Sequence, residues 1–173
     1  RIYARKERYL LLFEGAARGL VSGAPVRLKG IDVGRVLDIR LQLDTEALEF
    51  RIPVLIEIEP DRIVRHGEAA PPDERQLVER LVERGLRAQL KLDSLLSGTL
   101  YVDLDVDSNA PAGRLVQYGE HLVIPTRAGS LEAMTTQLAS VLEKLDAIPI
   151  EQIGRDLSAT AAGANALVNA PEL

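Results

Sequence analysis

The sequence predicts a mainly β fold, a small barrel or sandwich of about seven short strands with one inserted helix, followed by a C-terminal helical extension. Three observations carry this. Apolar and polar residues alternate at period two through most of residues 9–128, Gly, Pro and Asp punctuate that alternation at short intervals, and after Pro125 the apolar period becomes helical.

In chain order, the first strand candidate is Leu10 to Phe13, followed by Val26 to Leu28. Leu37, Ile39, Leu41 and Leu43 then alternate with Asp38, Arg40 and Gln42, which makes one half-buried strand. The clearest alternation places Phe50, Ile52, Val54, Ile56 and Ile58 on one face, with Arg51, Glu57 and Glu59 opposite. Pro53 lies inside that strand and has no N–H to donate, which predicts an edge or a bulge there. Between strands, Asp73 can cap a helix with Gln76 three residues on, and Gly85 can supply its left-handed C-terminal residue. Leu77, Val78, Leu81 and Val82 form the apolar stripe of that helix, and its charged residues face water, so it is expected to cover one opening or face of the barrel. Ala88, Leu90 and Leu92, then Leu100, Val102, Leu104 and Val106, mark two more strands, and Leu122 to Ile124 a last short one.

After Pro125, Leu131, Met134, Leu138, Val141, Leu145 and Ile148 recur at spacings of three and four, the pattern of a heptad seam. Pro149 resets the phase, and Ile150, Ile153, Leu157, Thr160, Ala164 and Leu167 repeat it with smaller residues, so two successive helices are expected. Such a seam serves either to pack the helix back on the barrel or to join identical neighbours; strict a/d spacing favours the second. The expected organisation is a linker at 1–8, a β-barrel domain at 9–128 and a helical segment at 129–173. Because the chain starts at Arg1 and ends just past Pro171, it reads as a piece of something longer.

Composition narrows the function. The 173 residues are 46% hydrophobic and 27% charged, close to globular averages. A net charge of -5 is the wrong sign for a phosphate backbone, so nucleic acid is not an expected partner. With four Tyr, two Phe and no Trp there is little material for base-stacking platforms. The absence of Cys removes disulfides, thiolate nucleophiles and cysteine metal sites. The longest uninterrupted apolar run, Tyr9 to Phe13, is far short of the ~20 residues that span a bilayer.

Catalytic chemistry finds no foothold. His66 and His121, the only histidines, stand far apart in sequence with no partner at metal-ligand spacing. Ser22, Ser94, Ser97 and Ser130 lack a nucleophile elbow and a matching base. Asp103, Asp105 and Asp107 share one strand face and could hold a hard cation, but without the glycine and closing glutamate of an EF-hand they read as a solvated face. Gly19, Gly23, Gly30 and Gly34 are too widely spaced for a phosphate loop and read as turn glycines. No enzymatic activity and no cofactor are expected. Leu95 and Leu96 are different: they sit between two alternating strands, where turn chemistry calls for polar residues. Either they tuck into the barrel or they touch something outside it.

Two landmarks, in order, closely resemble the mammalian cell entry (MCE) domain family of the MlaD-like superfamily. The first is Gly19-Leu20-Val21-Ser22-Gly23-Ala24-Pro25-Val26-Arg27-Leu28-Lys29-Gly30-Ile31-Asp32-Val33-Gly34-Arg35-Val36. The second is Gly85-Leu86-Arg87-Ala88-Gln89-Leu90, followed by Ser94-Leu95-Leu96-Ser97-Gly98-Thr99-Leu100-Tyr101-Val102. The resemblance covers about residues 9–126, and the long segment carrying the helix is most similar to the paraquat-inducible protein B branch. The single copy of the signature and the missing N-terminal anchor depart from that branch.

The resemblance implies a seven-stranded barrel that assembles into a homohexameric ring and carries phospholipids through a central apolar channel between the inner and outer bacterial membranes. It implies a periplasmic location with an inner-membrane anchor outside this chain, and as partners an inner-membrane permease-like or paraquat-inducible protein A-like protein and an outer-membrane-side lipoprotein. Leu95 and Leu96 fall at the family's pore-facing leucine pair, and the helical seam could line a tube or an oligomer contact. A rival class, the periplasmic adaptor of an efflux or secretion system, also joins β-domains to coiled coils, but it places a helical hairpin between halves of a lipoyl-like domain.

Overall fold

The computed structural model describes residues 6–67 and 73–169, and the side chains of 130–136 lie outside that description. The chain divides into two compact units, Arg1–Ala133 and Met134–Leu173. The first is built on β1 (Glu7–Phe13), β2 (Pro25–Leu28), β3 (Ile31–Ile39), β4 (Gln42–Asp44), β5 (Glu49–Ile58), β6 (Leu86–Ser94), β7 (Thr99–Val106), β8 (Val116–Tyr118) and β9 (His121–Val123), with helix α1 (Glu74–Glu83) between β5 and β6.

The strands hydrogen-bond in the order β6-β7-β2-β3-β5-β1-β9-β8, with β4 attached to β5 off this path. Most neighbours are antiparallel, but β1 with β9 and β2 with β7 run parallel. The ends of the sheet are drawn together at β6. Ala88 N–H donates to the Pro125 carbonyl (2.9 Å), and Arg127 N–H donates to the Ala88 carbonyl (3.0 Å). The segment after β9 therefore bridges β1 and β6, and the sheet curls into a small barrel-like body.

Its core follows from the period-two patterning of the long strands: Tyr9, Leu11 and Phe13 from β1, Val54, Ile56 and Ile58 from β5, Leu86, Ala88 and Leu90 from β6, and Leu100, Val102 and Leu104 from β7. Val78 and Val82 close the packing from α1, and Leu81 packs partly against it. Asp73 occupies the N-cap position of α1 without a side-chain cap bond, so the capping box expected with Gln76 is not formed at that side chain.

Several expectations are corrected. Among the described residues there are nine strands where about seven are expected: Gln42–Asp44 is a strand separate from β3, and Val116–Tyr118 adds another. The core-facing residues of β3 are Val33, Val36 and Ile39, not Leu37, Leu41 and Leu43. Register shifts against β2 near Val33 and against β5 at Leu37 each insert a residue and turn the pattern over. Leu41, Leu43 and Phe50 are exposed, because β4 and the start of β5 form a hairpin that outruns the core. β5 is an interior strand with β1 on one side and β3, then β4, on the other. Pro53 is accommodated at the junction of those last two: its carbonyl accepts from Arg40 N–H (3.0 Å), and its nitrogen faces the same side, where neither ladder requires a donor.

The tail consists of α2 (Ser130–Asp146) and α3 (Ile150–Val168), separated at Ala147–Pro149. Pro149 sits at the N-cap of α3, where its missing N–H costs no helical hydrogen bond. Every described side chain from 137 to 169 is exposed.

Candidate functional site

The β6–β7 hairpin pairs from Leu86↔Val106 to Ser94↔Thr99, with a register shift between Leu92 and Ser94 just below its tip. At its tip the chain turns through Leu95–Gly98. Gly98 N–H donates to the Ser94 carbonyl (2.9 Å), Ser97 N–H donates to Ser94 Oγ (3.3 Å), and the Ser97 and Thr99 hydroxyls lie 3.0 Å apart. Gly98 has a left-handed φ of 69°, which a side chain would strain. These bonds close the turn, and the two leucines point outward: Leu95 is 91% exposed and Leu96 100%. Neither is tucked into the barrel.

The tip is braced from two directions. Leu100 N–H donates to the Gly19 carbonyl (2.9 Å), and Gly19 lies so close that a Cβ there would stand 2.1 Å from the Gly98 carbonyl oxygen. On the other face, Arg27 of β2 donates to Asp32 (2.8 Å) and to Asp93 of β6 (2.7 Å), and its guanidinium carbon sits 4.5 Å from the centroid of the Tyr101 ring on β7. The bonds to Asp93 and Asp32 raise the Arg27 pKa above its ordinary value. One guanidinium on β2 thus ties β3, β6 and β7 to its own strand below the turn. The sequence landmarks are legible in these terms: the glycine-rich first stretch supplies the close approach and the arginine, and the second supplies the hairpin.

The acidic residues of β7 and its exit are each neutralised. Asp103 pairs with Lys91 (2.9 Å), Asp105 with Lys29 (3.0 Å) and Asp107 with Arg127 (3.1 Å). The expected solvated face is instead an ion-paired one, and Asp103 is buried. Glu57 is also buried, ringed by Lys6, Arg35 and Arg8; burial pushes its pKa up, but the three cations outweigh it and hold the carboxyl below its ordinary value. Among the described residues no group of three or more His, Cys, Asp or Glu converges to hold a metal.

Of the six seam residues, Leu138, Val141 and Leu145 lie on one face of α2 and Ile148 follows in the link to α3, all exposed. Leu131 and Met134 fall on residues whose side chains lie outside the described set. Leu142, also exposed, widens the stripe to i, i+3, i+4, i+7 spacing, so it is broader than a strict a/d seam. Sequence reasoning missed a second apolar projection, where Leu43 pairs across from Phe50 and Leu48 sits at the turn between β4 and β5. There Gln42 Nε2 donates to Tyr118 Oη (2.7 Å), linking β4 to β8. The alternation of Leu37, Ile39, Leu41 and Leu43 runs on unbroken through this point and hides it.

No described helix is long and apolar enough to cross a membrane. A chain of a solved structure titled Acinetobacter MlaFEDB complex in ATP-bound Vtrans1 conformation is similar at 16% identity and a TM-score of 0.45, covering 80% of this chain and 83% of that one. The family model described as MlaD protein matches residues 5–107, which span β1 through β7 and include both the Arg27 brace and the hairpin tip. The chain therefore belongs to the MlaD family of MCE domains.

Proposed function

We propose that this chain is a non-enzymatic lipid-transport component of the bacterial cell envelope, and that Leu95 and Leu96 are the surface it presents to lipid. The observation that carries this is the pair of fully projecting leucines on a turn closed by its own hydrogen bonds. Burying each leucine against an acyl chain or a neighbour is worth about 1.5–3 kcal/mol, and a braced tip loses little entropy in doing so. Membership of the MlaD family and the MCE-like landmarks support arranging copies in a ring, six by the family resemblance, with one tip from each facing a shared channel. Passage through such a channel requires no covalent step, and any direction or energy input would come from partner membrane proteins.

The exposed stripe on α2 supports a role between copies, as a tube lining or an oligomer contact. The matching model is that of MlaD, so the proposal stays at family level and does not include the paraquat-inducible protein B branch. The adaptor alternative has less support: α1, the described α-helix between strands of the β-domain, is only ten residues long, and α2 and α3 follow the last strand.

The test replaces both leucines by Asn in the full-length protein within its membrane system. The expected result is an unchanged assembly mass by light scattering with impaired phospholipid transfer between membranes. Normal transfer by this variant would remove the tip from the transport path.

A further inference from the structure

A second apolar feature lies inside the β-domain, at the end of the barrel covered by α1. Tyr9, Val33, Ile58 and Leu104 of the strands, with Val78 and Leu81 of α1, line a cavity of about 820 Å³. That is within the roughly 300–1,000 Å³ of ordinary small-molecule sites. The cavity starts where β6 begins, at Leu86, and the leucine tip lies past the other end of that nine-residue strand, roughly 30 Å away at about 3.3 Å per residue.

The distribution of chemistry in this cavity is one-sided. Its walls are aliphatic apart from the Tyr9 ring, and the charged or ionisable groups that reach it are Glu7, Tyr9, Arg65, His66 and Glu74, which come from the start of β1, the segment before α1 and the first turn of α1. They form a connected rim: Tyr9 Oη donates to Glu7 Oε2 (2.9 Å), Arg65 donates to Glu74 Oε1 (2.6 Å), and Glu7 is hydrogen-bonded to Glu74. Burial first, and then the bond to Glu74, push the Glu7 carboxyl up to about 7. An occupant of the interior must therefore be apolar along its length, since the walls offer nothing to satisfy a buried polar group. It must carry its polar group at one end only. A flat aromatic ligand would find few ring partners, whereas a flexible chain suits aliphatic walls.

We infer that this cavity binds the acyl chain of a monoacyl lipid whose zwitterionic head lies at the rim, its ammonium toward Glu7 and Glu74 and its phosphate toward Arg65. Each methylene taken from water gains ~0.8 kcal/mol. The carboxylates accept from the ammonium, and the guanidinium has donors to spare beyond the one given to Glu74. The site is complete within one chain, so it goes beyond the proposed ring channel and does not depend on it.

The absence of Trp makes the test clean. A Leu81→Trp variant of the full chain, shown by circular dichroism to be folded, carries a single indole at the cavity wall. Titration with monoacyl phosphatidylethanolamine below its micelle concentration is expected to give a saturable emission shift, and a brominated acyl chain is expected to quench it. Adding Val33→Phe to fill the cavity should abolish the response, and adding Leu95→Asn with Leu96→Asn should leave it intact. Native mass spectrometry of the unaltered chain should show one lipid per chain, a readout that needs no substitution. A folded reporter with no saturable response, or an equal response in the filled variant, or no 1:1 complex, would overturn the inference without touching the hairpin-tip proposal. Loss of the response in the Leu95→Asn/Leu96→Asn variant would overturn it by assigning the binding to the tip.

Discussion

In the β-domain Leu11, Val26, Val54, Ile56 and Val102 are wholly buried, whereas in the tail Leu138, Val141, Leu142, Leu145, Ile153 and Leu157 all lie in solvent. The same aliphatic residue types are used in opposite ways. The strands bury their period-two faces against one another and against α1, so their stability is internal. Along the described side chains of α2 and α3, helices of 17 and 19 residues, no apolar face is buried, and helices of that length are marginal on their own in water.

The largest contrast is expected in the core. Leu11→Ala, in a position fully closed to solvent, should destabilise the β-domain by about 2–5 kcal/mol in urea unfolding. Leu145→Ala in α2 should shift the same transition by less than about 0.5 kcal/mol, because it removes no buried contact. Comparable effects from the two would break the distinction.

At a smaller scale, Arg27→Ala removes two charged hydrogen bonds and the ring contact below the tip. Since these groups are partly exposed, the loss should be about 1 kcal/mol, with faster amide exchange at Leu95–Gly98. Unchanged exchange there would mean that the Gly19 contact alone holds the turn.

The smallest expected effect is pH-dependent. Glu7 ordinarily titrates near 4.5 and is raised to about 7 in the fold, by burial first and then by the bond to Glu74. Between those values the folded chain holds more proton than the unfolded one, so stability should fall as pH rises through that window and level off above it. Tyr9 and Arg65 also face this carboxyl, and the exposure of the rim keeps the effect modest. Glu7→Gln should flatten the slope in unfolding curves taken from pH 4.5 to 7. A slope of the opposite sign would contradict the carboxyl pairing.

Much of this was legible in the residues. β1, β5, β6 and β7 could be read because long strands repeat the alternation enough times to outvote noise. β3 was misphased because its register shifts near Val33 and at Leu37 leave no compositional mark, yet each reverses which residues face inward. The three-residue strands β4 and β8 are too short to show a period. Leu95 and Leu96 stood out because they violate turn chemistry. The cavity under α1 left no trace, because its walls come from strands far apart in sequence and only the register brings them together. Leu142 was overlooked because the heptad template counts only two positions in seven.

The central claim is that the hairpin tip meets lipid. Its most direct test places a photoreactive residue at Leu96 in the full-length assembled protein in its native membranes, with a second variant bearing it at Leu48, an exposed leucine on the β4–β5 hairpin. Irradiation followed by mass spectrometry should find a phospholipid adduct at position 96 and none at 48. Adducts to protein alone at position 96, or equal lipid labelling at both positions, would contradict the account.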